Sequence, residues 1–126
     1  MLANIHFAGI IQPEELPVFA AQFDVGMAIE LPFPENRDIC LTNKIFTYLL
    51  AGNAIILSQT SMQSAFNIAY KVGESFAVND AKALAEKIKG YKRREKLNAQ
   101  KRYNYDLAKT QMNWEKESEK LLALFN

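Results

Sequence analysis

The stretch NKIFTYLLAGNAIIL, residues 43–57, decides how the rest of the chain is read. Ile45, Phe46, Leu49 and Leu50 fall on one side of a helix, and Thr42 before them is of a type that caps helix starts. Gly52 then permits the left-handed backbone on which helices end, and Ala54, Ile55, Ile56 and Leu57 follow as a short, wholly apolar run. Helix, glycine and buried strand in immediate succession belong to a β-α-β arrangement with a parallel sheet.

The same alternation extends in both directions. NIHFAGII, residues 4–11, offers Ile5, Phe7, Ile10 and Ile11 with a turn residue, Gly9, and predicts a strand ending in a turn. QPEELPVFAAQF, residues 12–23, sets Pro13, Glu14 and Glu15 where the first turn of a helix favours proline and acid, and Pro17 is early enough to be tolerated. DVGMAIE, residues 24–30, predicts a strand buried on both faces. LPFPENRDICLT, residues 31–42, has two prolines and no period, and reads as a long loop of the kind that often carries function.

Beyond the opening stretch, residues 58–70 predict a short helix and residues 73–80 a short strand, with Asp80 capping the next element. Residues 81–126 read as helical with breaks near Gly90 and Asn113. In the last piece Trp114, Ser118, Leu121, Leu122 and Phe125 share a face, which is expected to pack. The fold class is therefore α/β, a Rossmann-like parallel sheet with helices on both faces.

With 126 residues and 49% hydrophobic content, the chain forms one domain, residues 1–126, burying about two-thirds of its unfolded surface. Cys40 is the single cysteine and has no partner for an internal disulfide. No charged start precedes an apolar run with a cleavage site, and no apolar run reaches the roughly 20 residues of a membrane helix. These features read as cytoplasmic. His6 alternates with Ile5 and Phe7 as a packed or edge residue, and no second histidine or cysteine completes a metal set, so no metal is expected.

Net charge is +1 but unevenly spread: residues 1–81 hold three Lys or Arg against eight Asp or Glu, and residues 82–126 hold twelve against six. The run YKRREK, residues 91–96, suits phosphate or anionic lipid, yet alternating lysine and glutamate is also the ordinary pattern of a solvated helix face.

In a parallel α/β sheet ligands sit beyond the carboxyl ends of the strands. The helix starting near Asn43 follows the long loop that leaves one such end, so the amides of Thr42, Asn43 and Lys44 are expected to face that crevice. A helix start attracts anions, and the Lys44 ammonium favours a phosphate over a neutral ligand. The ordinary alternative is a lysine solvated in a first turn.

The order of these blocks resembles the carboxyl-terminal half of retaining glycosyltransferases of the two-domain GT-B architecture, the family four or group 1 type. NIHFAGIIQPEELPVFAAQFDVGMA is similar to the family's strand, glycine turn, helix and strand. NKIFTYLLAGNAIILS, VGESFAVNDAKALAEKIKG and NWEKESEKLLALF look like its later blocks, in the same order and over nearly the whole chain. The resemblance implies binding of a nucleotide sugar such as a UDP- or GDP-sugar, no metal, and work in surface polysaccharide or glycoconjugate synthesis. It places Thr42, Asn43 and Lys44 at the diphosphate or sugar, the turn Gly9, Ile10 and Ile11 against the base, and residues 35–41 beside the transferred sugar. Family members put a ribose-gripping glutamate where this chain has Thr47, and the first acid of their paired motif falls at Ile39. Losing one charge-assisted contact weakens a ligand by roughly tenfold to a hundredfold.

Such enzymes open this domain with a basic strand-turn-helix unit and precede it with an acceptor domain, so the chain reads as roughly the last third of one, inactive in isolation. No catalytic residue is assigned. Further expected partners are the absent acceptor domain, a peripheral membrane contact of the parent enzyme, and a second copy of the chain through an open sheet edge and the last helix. No nucleic acid is expected. The rival readings are a non-catalytic nucleotide-binding module, disfavoured by the lack of GxGxxG after the first strand, and an interaction module using the basic helices.

Overall fold

The computed structural model describes residues 4–125. A short 3-10 helix, Pro13–Glu15, runs into α1 (Leu16–Ala20). There follow β1 (Val25–Ala28), α2 (Glu35–Ile39), α3 (Asn43–Ala51), β2 (Ala54–Ser58), α4 (Ser61–Tyr70) and β3 (Gly73–Phe76). The chain closes with α5 (Ala81–Gly90), α6 (Arg94–Thr110) and α7 (Trp114–Ala123). The strands make an open parallel sheet in the order β1-β2-β3, Val25 beside Ala54 and Ile55 beside Gly73. The fold is α/β and Rossmann-like.

β2 lies at the centre and every one of its residues is buried, which is why its sequence shows no polar alternation. Ile55 and Leu57 face a layer built from α3, α4 and the end of α6, through Ile45, Leu49, Phe66 and Leu107. Ala54 and Ile56 face the opposite layer, where Tyr91 and Leu97 pack with Phe76. Helices thus cover both faces.

α3 ends as its glycine requires: Gly52 is left-handed at φ 73°, its N–H meets Leu49 C=O at 3.1 Å, and Asn53 N–H meets Tyr48 C=O at 3.0 Å. Asp80 caps α5 by accepting from Ala83 N–H at 2.9 Å. Below the sheet, α6 acts as a strap. Lys101 pairs with Asp24 at 2.8 Å, and the buried Asn104 amide donates to Asn53 C=O at 2.7 Å and Val72 C=O at 2.8 Å. Asp24, Asn53 and Val72 each stand immediately before a strand, so one helix ties down the amino ends of all three.

Four expectations need correction. Residues 4–11 form no strand: Phe7 and Ile10 are 94% and 97% exposed, and β1 is left as an edge with nothing paired outside it among the described residues. Strand propensity needs a neighbouring ladder, and none reaches this segment. β1 is accordingly buried only at Gly26 and Ala28, with Val25 and Met27 half-buried. The long loop contains α2, held by a tertiary contact of Asp38 described below. Lastly, α7 forms but its apolar stripe does not pack, for Trp114 and Leu122 remain 71% and 63% exposed. Periodicity identifies the face that would be buried, not whether the chain supplies a cover. No helix of the described residues is long and apolar enough to cross a membrane.

Candidate functional site

The carboxyl ends of β1 and β2 are joined by side chains rather than by further ladder. Glu30, two residues past β1, donates its N–H to Ser58 Oγ at 2.7 Å, and the same hydroxyl donates back to Glu30 C=O at 2.7 Å. Gln63, fully buried in the first turn of α4, donates to Ala28 C=O at 3.1 Å, Ser58 C=O at 2.9 Å and Ser58 Oγ at 3.2 Å. This clamp fixes the backbone from which the Glu30 side chain projects.

The Glu30 carboxylate is only 4% exposed and is ion-paired with Lys44 in the first turn of α3. A buried carboxylate is tolerated when paired, so Lys44 has a structural duty to Glu30 as well as a place at the helix start. The reading of Lys44 as a merely solvated residue is thereby set aside.

The starts of α3 and α4 differ. At α4 a carboxylate from the long loop is already seated: Asp38 accepts from Ser61 N–H at 2.9 Å and from the Ser61 hydroxyl at 2.5 Å. The Ser61 hydroxyl and amide hold the Asp38 carboxyl below the usual carboxylate range. At α3 no side chain of the described residues does this. Thr42 has the extended backbone of a capping residue, at φ −83° and ψ 166°, but its hydroxyl makes no capping bond. Thr42 Oγ1 is buried and has no hydrogen-bond partner among the described residues.

Two cavities flank the Glu30–Lys44 pair. The first, about 500 Å³, runs along the outer side of β1 between α1 and α3, and its lining includes Ile11, Asn43, Lys44 and Thr47 against an apolar wall of Phe19 and Tyr48. The second, about 350 Å³, lies over the strand ends and is bounded by Glu30, Ser58, Phe76 and Asp80. Four of the residues expected at the site therefore meet in one cavity. Thr42 adjoins it as the cap of α3, whereas Gly9, left-handed at φ 76°, and Ile10 are exposed and do not line it. Ile39 is 58% exposed in α2, away from both cavities.

Sequence reasoning missed Glu30, Ser58 and Gln63. The only local signal was an acid ending an apolar run, which ordinarily means the chain has reached solvent. Among the described residues no group of three or more His, Cys, Asp or Glu is placed to hold a metal. Comparison with protein-family models, with curated proteins and with solved structures finds no match.

Proposed function

We propose that the chain is the donor-binding portion of a retaining glycosyltransferase of GT-B architecture, binding a nucleotide-diphosphate sugar for surface polysaccharide or glycoconjugate synthesis, and inactive alone. One observation carries the reading. The start of α3, with no side chain of the described residues capping it and Lys44 in its first turn, borders a cavity that runs along the outer side of the parallel strand β1. In this reading the amides of Asn43 and Lys44 and the Lys44 ammonium receive the diphosphate, with the Thr42 hydroxyl free to donate. Thr47 stands at the ribose, and the base lies toward Ile11, with Gly9 and Ile10 forming the turn beside it. Ammonium and helix dipole offset the phosphate charge, so the reading calls for no metal.

The test is calorimetric titration of UDP and GDP into the chain and into Lys44→Ala. Because the ammonium already serves Glu30, the expected loss is at the low end for a charge-assisted contact, about tenfold. Equal affinities in a folded variant would remove Lys44 from the site.

A second reading draws on the turn between α5 and α6. Lys87 and Lys96 are held by Glu74 at 3.3 and 2.7 Å, while Lys89, Lys92, Arg93 and Arg94 are exposed. That corner favours a non-catalytic interaction module on an anionic surface. Salt-sensitive binding to anionic vesicles, indifferent to Lys44→Ala, would support it over the donor-binding reading.

A further inference from the structure

We propose that residues 31–40 are a lid, parked on α4 in this structure by the contact of Asp38 with Ser61, and that their closed position lies across the start of α3, over the first cavity. The proposal concerns the regulation of the site described above, and rests on the donor-binding reading only for the ligand that the lid would enclose.

The segment is fixed at its two ends and at one place between them. At the near end the Glu30 main chain is held at both N–H and C=O by Ser58. At the far end Leu41 packs against the core that α3 and α4 share. Between these points α2 has five residues, no side-chain cap at its start, and Glu35, Asn36 and Ile39 exposed. What seats it among the described residues is Asp38, which takes the Ser61 amide at 2.9 Å and the Ser61 hydroxyl at 2.5 Å, both at the surface. An element with few buried apolar contacts opens locally at small cost. Asp38 therefore acts as the latch.

The parked position leaves apolar surface uncovered on both sides of the gap. Phe33 and Ile39 are 79% and 58% exposed, while Leu31, at the near hinge, already borders the second cavity. The first cavity has apolar walls at Phe19, Phe23 and Tyr48, and its lining includes Asn43 and Lys44, where the segment rejoins the fold. Neither Phe33 nor Ile39 lines it. Closing the lid brings these surfaces together and removes water from both.

The chain is long enough for the movement. α3 and α4 follow the neighbouring strands β1 and β2, and packed helices lie about 8–10 Å apart. Passing from the start of α4 to the far side of α3 is thus a displacement of about 10–20 Å. Ten extended residues span up to about 35 Å. Leu31 and Cys40, at the two hinges, are exposed, so turning there breaks little packing. Closure of this kind shields a bound ligand from solvent.

Disulfide trapping tests the movement without any ligand. In a Cys40→Ser background, Asn36→Cys is combined either with Met62→Cys, in the first turn of α4, or with Thr47→Cys, on the wall of the first cavity. The first combination reports the parked lid and the second the closed one. With Asp38 present the parked pair should oxidise faster. Asp38→Ala should slow the parked pair and speed the closed pair, each by about tenfold, as expected for losing one charge-assisted contact. Ser61→Ala removes the hydroxyl alone and should act in the same direction by a smaller factor. A closed pair that never bridges, or bridges at a rate indifferent to both Asp38→Ala and Ser61→Ala, overturns the lid. UDP added to the closed pair then addresses the other reading: a changed rate supports donor binding, and an unchanged rate at high UDP counts against donor binding while the latch-dependent rates still establish the lid.

Discussion

Gly26 lets α3 lie directly on the edge strand by having no side chain. A Cβ at that position would come within 2.3 Å of the Tyr48 ring, far inside any tolerated contact. The Tyr48 hydroxyl meanwhile reaches Met27 C=O at 3.4 Å, so the ring is held over the strand from both ends. Tyr48 stands four residues after Lys44, on the same side of α3, and whatever lifts the ring also shifts the ammonium relative to Glu30. Gly26→Ala should destabilise the fold by about 1–3 kcal/mol through overpacking. Adding Tyr48→Ala should recover part of that loss, a coupling measurable by urea denaturation of the two single variants and the double. Strictly additive effects would mean that the two residues do not meet. At this scale Lys44 was legible and Glu30 was not. A lysine at a helix start announces its electrostatics locally, whereas burial of Glu30 depends on Ser58 and Gln63, about thirty residues further along the chain.

Among the elements, β3 is tied to α5 and α6 by one carboxylate as well as by the packing of Phe76. Glu74 receives Lys96 at 2.7 Å and Lys87 at 3.3 Å, and the Lys96 ammonium is the chief cause that holds its carboxyl below the ordinary value of 4.5. Nearby, burial and the Glu74 charge push the Tyr91 phenol up, so the ring stays neutral in the core at ordinary pH. A carboxyl whose folded pKa is depressed contributes stability above its unfolded pKa and loses it as pH falls through the folded one. Stability should therefore decline as pH drops below about 4.5, and Glu74→Gln should flatten that decline. The flattening will be partial, because Lys101 lowers Asp24 and Ser61 lowers Asp38 in the same window. Thermal melts across pH 3–6 check this, and parallel curves would show that Glu74 contributes nothing.

The elements legible in the sequence were those with local stops and a local period. α3, β2, α4 and α5 each have a cap, a glycine or an unbroken apolar run that marks their bounds. α2 has none of these. Its five residues are secured by Asp38 on Ser61, twenty-three positions away, a contact that no window over the long loop contains.

Across the whole molecule, the parallel α/β character could be read from alternation alone, because the central strand β2 is apolar on both sides and helical segments with one apolar face stand before and after it. The errors lie where apolar pattern exceeds the cover available in the chain. Ile5, Phe7 and Ile10 before α1, the outer edge of β1, and the stripe on α7 all ask for neighbours that the described residues do not supply. Sequence pattern reports that demand equally well whether or not it is met within the chain. The donor-binding reading locates recognition elsewhere, at the start of α3.

Backbone amide NMR during a UDP titration separates the two functional readings most sharply. If the start of α3 receives the diphosphate, the amides of Asn43, Lys44 and Ile45 move first and farthest, and those of Lys92, Arg93 and Arg94 stay in place. Shifts confined to Lys92, Arg93 and Arg94, with the start of α3 unmoved at saturating UDP, would contradict it.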